Sequence, residues 1–465
     1  MNAVSAARVF VLVSLFWGTL AFGATYMWAS RSMAAWAVIA IGTCFIAGRR
    51  SRGPGWLLGL TMALVLAAIA AQLVPLSRST IAGMDPARHA LLSQLKVGYR
   101  FNAAVRHPLS INPALTWWAL AFSTVLCLWV AGLSRLLSVT GARWLAVGLA
   151  WFGLVIALIG IVQNAVYDGR VYGFWTPQVP NAGPFGPFIN KNHFAGWMLM
   201  VLPLTVGLVG SEARRAMAGV QPTLRHRVVW FSTERASRLL LLAGTGLVML
   251  LALMLTLSRS AILTAIVLTL VSVVGFVVMG RGSRARKLML TVATLIVVAL
   301  VVDWVGLDTL IERFQAVGAH DLEVRQGAWR DAIATARRFP LAGTGLNTYG
   351  TAMLALQTYL PTGHFAQAHS DYLQLWAEGG VLLIAPVFFL ALALALEIFR
   401  RLREPGGPDW LRVGAVVGLI AILMQEAVEF SLQMPANFLL FATLCAIAIH
   451  RSPAKTRGRV SAGHR

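Results

Sequence analysis

Residues 239–279 read LLLLAGTGLVMLLALMLTLSRSAILTAIVLTLVSVVGFVVM, and this stretch decides the fold. It contains two apolar runs, each close to the length of about 20 residues that an α-helix needs to cross the hydrocarbon of a bilayer. Only a short polar turn of Ser258, Arg259 and Ser260 separates them. The stretch therefore predicts two consecutive transmembrane helices joined by a tight hairpin, with Arg259 at the turn.

The same pattern recurs along the whole chain. Of its 465 residues, 58% are hydrophobic and 12% are charged, and the mean hydropathy is +0.72, which excludes an ordinary water-soluble globular protein. Apolar stretches predict spans at residues 9–28, 33–47, 56–75, 114–133, 144–166, 193–210, 238–257, 261–280, 288–306, 381–399, 411–428 and 436–450. An alternating strand pattern is missing from the sequence, and a backbone in lipid must satisfy its own hydrogen bonds. We therefore predict an all-α polytopic membrane protein with about 12 transmembrane helices.

The formal net charge of +22 would suit a nucleic-acid-binding protein, but the positions of the basic residues argue against one. If the N-terminus lies in the cytoplasm and the spans alternate, most lysines and arginines fall on the cytoplasmic side, as the positive-inside rule requires. We predict a multi-pass protein of the cytoplasmic (inner) membrane, with both termini cytoplasmic and no nucleic-acid partner. The cysteines Cys44, Cys127 and Cys445 lie in apolar spans and lack the spacing of a metal site or a disulfide framework.

With this topology, three long segments face outward, at residues 76–113, 167–192 and 307–380. We predict that residues 1–465 form a single integral membrane domain, with 307–380 a periplasmic loop with short helices inserted between spans nine and ten. In that loop, LEVRQGAWRDAIATARRF has helical spacing, which places Arg325, Trp329 and Ala332 on one face. LAGTGLNTYG predicts a glycine-rich turn, and AHSDYLQLWAEGG a second helix that leads into span ten.

Asn190, Lys191 and Asn192 precede span six at its predicted outer end. Either asparagine can cap the helix, and a helix N-terminus favours an anion. The three residues are therefore candidates for binding an anionic substrate. The structural alternative is an ordinary cap with a lysine that extends to the membrane surface.

Two further residues on the predicted outward face can carry chemistry. Arg259 lies between two apolar runs, where a cation is costly unless it is paired, although a tight hairpin can also hold a solvated arginine. His369 lies where the chain returns to the membrane, and a neutral imidazole can act as a general base near pH 7. On chemistry alone, His193 and His364 are equally good candidates for that role.

Glu426 and Glu429 lie near the outer end of span eleven. Carboxylates at this depth need either a cationic partner or a water-lined cavity. Pairing with one of the arginines is the structural interpretation, and contact with a substrate is the functional one.

Five segments in this order resemble the O-antigen ligase and O-antigen polymerase superfamily. They are GPFINKNHFAGWM, LTLSRSAIL, RQGAWRDAIATARRFPLAGTGLNTY, AHSDYLQLWAEGGV and VEFSLQMPANFLLF, within residues 180–445. The resemblance implies a GT-C-like membrane fold and an inverting, metal-independent glycosyltransferase that needs no cofactor. The implied donor is a glycan on undecaprenyl diphosphate, and the implied acceptor is a glycan or glycolipid, such as a sugar of the lipid A core in lipopolysaccharide biosynthesis.

By motif, Lys191 stands where the family often has a basic residue between two asparagines, Arg259 matches the arginine of a Ser-Arg-Gly-like turn, and His369 matches the family histidine. The sequence departs from the pattern in having Lys191 instead of arginine, Ser370 instead of the common asparagine and Glu429 instead of the frequent aspartate. Lysine still binds phosphate, but as a point charge without the bidentate fork of arginine.

These matches lead to a set of expected roles. Lys191, Arg259 and Arg325 would bind the diphosphate, and His369 would take the proton from the acceptor hydroxyl or orient it. Glu429 would hold His369 or bind an acceptor group. Trp175 and Tyr172, in an aromatic and proline-rich loop, would offer flat faces to sugars, although anchoring at the membrane interface explains them equally well. The segment AGTGLNTYG lacks the lysine of a nucleotide-binding P-loop.

Several other functions fit the same sequence. A polymerase that extends lipid-linked repeats differs from a ligase only in its acceptor, and a protein acceptor is a third choice. A secondary transporter would also have many helices with basic cytoplasmic loops, but transporters typically carry internal repeats and broken helices around a midplane site. A non-catalytic scaffold is the remaining alternative.

Overall fold

The computed structural model describes residues 2–102, 104–178, 183–217, 229–230, 232–279, 318–359, 363–404 and 409–452. The helices are α1 (Ala3–Leu20), α2 (Met27–Ala47), α3 (Trp56–Ala71), α4 (Arg78–Met84), α5 (Pro86–Leu95), α6 (Val97–Phe101), α7 (Pro113–Thr140), α8 (Arg143–Ala165), α9 (Lys191–Ala216), α10 (Glu234–Leu255), α11 (Arg259–Met279), α12 (Gly318–Arg338), α13 (Tyr349–Leu356), α14 (Asp371–Leu402), α15 (Trp410–Gln425) and α16 (Pro435–Ile449). Two short strands, β1 (Leu76–Ser77) and β2 (Arg106–His107), pair antiparallel. The all-α prediction is confirmed.

Seven described helices are long and apolar enough to cross a membrane: α1, α2, α7, α8, α9, α10 and α14. Shorter apolar helices occur at Trp56–Ala71, Arg259–Val271, Trp410–Gln425 and Pro435–Ile449. Every predicted span except the ninth falls on one of these helices, which confirms a polytopic membrane protein. The ninth, at 288–306, lies outside the described residues, so the total of about 12 stays a prediction.

Helix boundaries differ from the predicted spans where polar residues continue a helix beyond its apolar part. The second span, predicted at 33–47, belongs to a helix that begins at Met27. The helix predicted before span ten and the span itself form one element, α14, which bends at Gly380, where φ is 54°. The helix of the third outward segment ends at Arg338, before Pro340, as its sequence predicts.

Helix α9 lies at the centre of the bundle and packs against α8, α10, α15 and α16. Its contact with α15 is close because glycines face the partner backbone, the usual way in which membrane helices approach each other. A Cβ atom on Gly207 would lie 2.3 Å from the carbonyl oxygen of Trp410, and one on Gly414 would lie 2.5 Å from that of Pro203. This packing fixes the start of α9 beside the connector that follows α15.

Two of the segments predicted to face outward pack against each other. Leu91 and Leu92 of α5 share a buried apolar cluster with Ala332 of α12 and Tyr349 of α13. The glycine-rich turn joins this layer to α14, because Gly343, at φ 56°, leaves no room for a Cβ atom beside the backbone of Glu378. This apolar cluster therefore positions α12 and the start of α14 against the bundle of membrane helices.

Candidate active site

The connector between α15 and α16 contains a buried carboxylate that receives side chains from three helices. Glu429 is 1% exposed. Its Oε1 atom accepts hydrogen bonds from Arg325 Nη2 of α12 at 2.7 Å, Asn192 Nδ2 of α9 at 2.9 Å and Ser260 Oγ of α11 at 3.4 Å. Residues predicted separately, from distant parts of the chain, therefore meet at one oxygen atom.

Arg325 is held on two sides by the connector. Besides its ion pair with Glu429, its Nη1 atom donates to the carbonyl oxygen of Val428 at 2.5 Å. An ion pair with arginine was the structural interpretation of Glu429, and the structure contains that pair. Burial raises the pKa of Glu429, whereas the charge of Arg325 and its hydrogen bond act in the opposite direction. Arg325 therefore pairs with Glu429 inside the protein, in addition to any contact that it makes with a substrate.

The N-termini of three helices meet at Glu429. α9 begins at Lys191, α11 at Arg259 and α14 at Asp371. The second residues of α9 and α11 reach Glu429 Oε1, and the backbone N–H of Asp371 donates to the Glu429 carbonyl oxygen at 3.2 Å. Helix N-termini carry partial positive charge and bind anions. Three helix starts thus lie at Glu429, two of them beginning with the basic residues Lys191 and Arg259, and Arg325 contacts its carboxylate directly.

The start of α9 is capped as the sequence predicts. Asn190 Oδ1 accepts the backbone N–H of Asn192 at 2.8 Å, and Lys191 is the first helical residue. The side-chain amide of Asn192 donates to Glu429, and the backbone carbonyl oxygen of Asn192 accepts from Gln425 Nε2 at 3.2 Å. Asn190 therefore has a capping role, and Asn192 ties α9 to the connector.

His369 adopts a backbone conformation that is uncommon for a residue other than glycine. Its φ is 51°, in the left-handed region, where strain is typical of functional sites. Neighbouring residues hold the segment on both sides, because Trp329 Nε1 donates to the His369 carbonyl oxygen at 3.1 Å and Gln374 Oε1 accepts the N–H of Ala368 at 3.0 Å. Trp329 and Arg325 share a face of α12, so one helix holds both Glu429 and His369.

Phe430 contacts two of the three candidate histidines. Its ring centroid lies 5.0 Å from that of His369 and 4.8 Å from that of His193, edge to face in both cases. His193 is buried, His369 is half-buried and His364 is exposed. Of the three candidates, His369 is therefore the one that is both partly accessible and in contact with Phe430, a distinction that the sequence alone could not make.

Two carboxyl groups lie behind this cluster. Asp371 Oδ1 accepts from Gln433 Nε2 at 2.8 Å. Glu426, just beyond the end of α15, is 1% exposed. Burial raises the pKa of Glu426 well above its usual value, and the nearby charge of Asp371 raises it further. Burial and the neighbouring carboxylate therefore favour the protonated form of Glu426 in the folded protein.

This shift predicts a pH dependence of stability. The folded state keeps a proton on Glu426 above about pH 4.3, where the unfolded state loses it, so stability falls as pH rises from there toward the folded-state pKa. We expect Glu426→Gln to raise the melting temperature of the detergent-solubilised protein at pH 8 and to reduce its fall between pH 5 and pH 8. The exposed Glu323→Gln is the matched control. An unchanged pH slope in Glu426→Gln would contradict this assignment.

Trp175 lies in a different cluster. Its Nε1 atom donates to the hydroxyl of Tyr26 at 3.0 Å, and its ring lies 5.0 Å from that of Phe22. Tyr172 donates its hydroxyl to the carbonyl oxygen of Leu20 at 2.8 Å. In the described part of the chain, the hydrogen bond and ring contacts of Trp175 join its loop to the α1–α2 turn. Ile189 packs in the same cluster, next to the site.

A family model matches part of the chain that contains residues of the candidate site. Residues 244–389 match the protein-family model Wzy_C, described as O-antigen ligase. No curated protein matches the sequence. The matched segment contains Arg259, Arg325 and His369, whereas Lys191 and Glu429 lie outside it.

Proposed function

Because residues 244–389 match the family model described as O-antigen ligase, we propose that the protein transfers a glycan from an undecaprenyl-diphosphate carrier to an acceptor hydroxyl at the periplasmic face of the inner membrane. Glycan transfer of the O-antigen ligase type follows from the family match. The lipid diphosphate donor, the acceptor and the orientation in the membrane are the proposal.

The meeting of three helix N-termini at Glu429, two of which begin at the basic residues Lys191 and Arg259, carries the proposal. When the bond between the sugar and the diphosphate breaks, the leaving group gains negative charge. Cations and helix ends placed where this charge develops stabilise the transition state more than the ground state. A lipid-linked sugar diphosphate already holds the energy of transfer in that bond, so no nucleotide is needed outside the cytoplasm.

In the proposed reaction, the acceptor oxygen attacks the anomeric carbon of the donor sugar as the bond from that carbon to the diphosphate oxygen breaks. His369 takes the proton of the acceptor hydroxyl. Lys191 and Arg259 stabilise the departing diphosphate. A single displacement of this kind inverts the anomeric configuration, and it requires no metal step.

The contacts of Glu429 refine its role and that of Arg325. Because Glu429 accepts from Arg325, Asn192 and Ser260 at once, we assign it as a positioning residue that sets the relative places of α9, α11 and α12. Arg325 borders the diphosphate site while paired with Glu429.

The experiment uses purified full-length protein in detergent, with undecaprenyl-diphosphate-linked glycan as donor. We expect release of undecaprenyl diphosphate together with transfer of glycan to an acceptor. Lipid A core and a second lipid-linked repeat are supplied in separate reactions, so that product on the first identifies a ligase and product on the second a polymerase. Folded protein that releases no undecaprenyl diphosphate with either acceptor, but moves lipid-linked glycan across proteoliposomes, would favour the transporter.

A further inference from the structure

A cavity at the other end of α9 has no part in the proposed reaction. Its volume is about 550 Å³, and it lies where α8 and α10 begin and α9 ends. The helix from Asn192 to Glu212 is about 30 Å long at the standard helical rise, which is the thickness of the hydrocarbon core. The cavity therefore lies at the opposite membrane surface from the candidate active site.

The described lining combines cations with an apolar wall. The lining contains four arginines, Arg143, Arg215, Arg235 and Arg238, and one carboxylate, Glu212. Glu234, outside the lining, pairs with Arg238 at 2.5 Å, so a surplus of positive charge remains.

Glu212 holds two of these arginines in place by hydrogen bonds. Arg143 Nε donates to its Oε1 atom at 2.7 Å, and Arg215 Nη1 donates to the same atom at 3.2 Å. Each guanidinium has five N–H donors, so both keep donors for another acceptor. Arg143 Nη2 also donates to Glu212 Oε2 at 3.3 Å, so Glu212 holds the two guanidinium groups side by side while their remaining N–H donors can bind a phosphate group.

The apolar wall faces the lipid. Trp151 and Leu241 line the cavity and are 46% and 64% exposed, and both belong to membrane-spanning helices. Trp151 lies on α8 about 12 Å from Arg143 along the helix axis, at a depth that acyl chains occupy. A molecule that fills this cavity therefore needs an anionic head at the surface and an apolar chain below it.

We propose that this cavity binds an anionic phospholipid, with its phosphodiester on Arg143 and Arg215 and an acyl chain along Trp151 and Leu241. Basic pockets between helices at a membrane surface recognise anionic headgroups in this way. A free phosphate ester shares the headgroup chemistry but would leave the apolar wall unused. The site would couple the protein to the lipid composition of the leaflet opposite the candidate active site.

The test measures lipid binding by the delipidated full-length protein in zwitterionic detergent, using native mass spectrometry. The probes are phosphatidylglycerol, phosphatidylcholine and glycerol phosphate. We expect phosphatidylglycerol to bind in preference to both others. The double variant Arg143→Gln/Arg215→Gln should weaken its binding roughly twenty-five-fold, at about fivefold for each arginine.

The matched control is Arg50→Gln/Arg52→Gln, which removes the same charge from the exposed turn after α2, outside the cavity lining. It should bind the lipid as the unmodified protein does. Should the cavity double variant fail to fold, the exposed Arg235→Gln replaces it, with an expected loss of about fivefold. Equal losses in cavity and control variants, or glycerol phosphate binding as tightly as the lipid, would overturn the proposal.

Discussion

Glycan transfer by the His369→Asn variant should fall by about a hundredfold or more, because removal of a general base typically lowers a rate by that amount. Asparagine is the preferred replacement, since it tolerates the left-handed backbone that His369 adopts at φ 51°, whereas alanine adds backbone strain. The measurement is the initial rate of undecaprenyl diphosphate release at saturating donor, over a range of pH.

The pH profile distinguishes a base from a structural residue. If His369 accepts the proton, the unmodified protein should lose rate at acidic pH, and the residual rate of the variant should lack that limb. His364→Asn is the matched control, since His364 is exposed in the segment that leads to His369. An unreduced rate in His369→Asn would remove the base assignment, while an equal loss in both variants would point to a disturbed loop.

The second large effect concerns the ion pair of Arg325 and Glu429. Arg325→Met leaves a buried carboxylate without its cation, and we expect a loss of stability of about 3 kcal/mol. This is the low end of the range for buried pairs, because the arginine side chain is 23% exposed and that of Glu429 only 2%. The measurement is chemical or thermal unfolding of the solubilised protein, together with the transfer rate.

The double variant Arg325→Met/Glu429→Gln separates stability from function. Because it removes both charges, most of the lost stability should return. The transfer rate should stay low, since neither the cation beside the diphosphate nor the carboxylate that positions Asn192 and Ser260 is restored. Arg330→Met, on an exposed face of the same helix, is the control. Recovery of the transfer rate together with stability would reduce the pair to a structural role.

The fold was largely predictable because its signal is local. The lengths of the apolar runs were enough to locate the spans. Pro340 correctly indicated the end of α12. What composition could not predict was the polar start of a helix, as in α2, where Ser30, Arg31 and Ser32 precede the apolar run. The bend at Gly380 depends on the packing of α14 against the glycine-rich turn, which no window of residues contains.

The individual residues of the proposed site were chosen from the sequence, whereas the contacts among them were not predictable. Lys191, Arg259, Arg325, His369 and Glu429 were each identified by charge in an apolar context or by motif. Their convergence depends on helix packing, since the Asn192 contact to the connector spans 237 positions in the chain and the Ser260 contact 169.

Phe430 was missed for the same reason. An apolar residue beside a membrane span carries no signal until its contacts with two histidines are visible. Ser260 was noted only as a neighbour of Arg259. Polar residues that interrupt the apolar sequence between α15 and α16 are the one local sign that this connector lines a site.

The most direct test of the central claim compares the rate of undecaprenyl diphosphate release among the unmodified protein, Lys191→Ala and Arg259→Ala. If these cations stabilise the departing diphosphate, each variant should be slower by about a hundredfold, the usual effect of losing one electrostatic contact in a transition state. Arg100→Ala, which removes an exposed arginine from α6, should retain the original rate. Release at the original rate in both Lys191→Ala and Arg259→Ala would contradict the account.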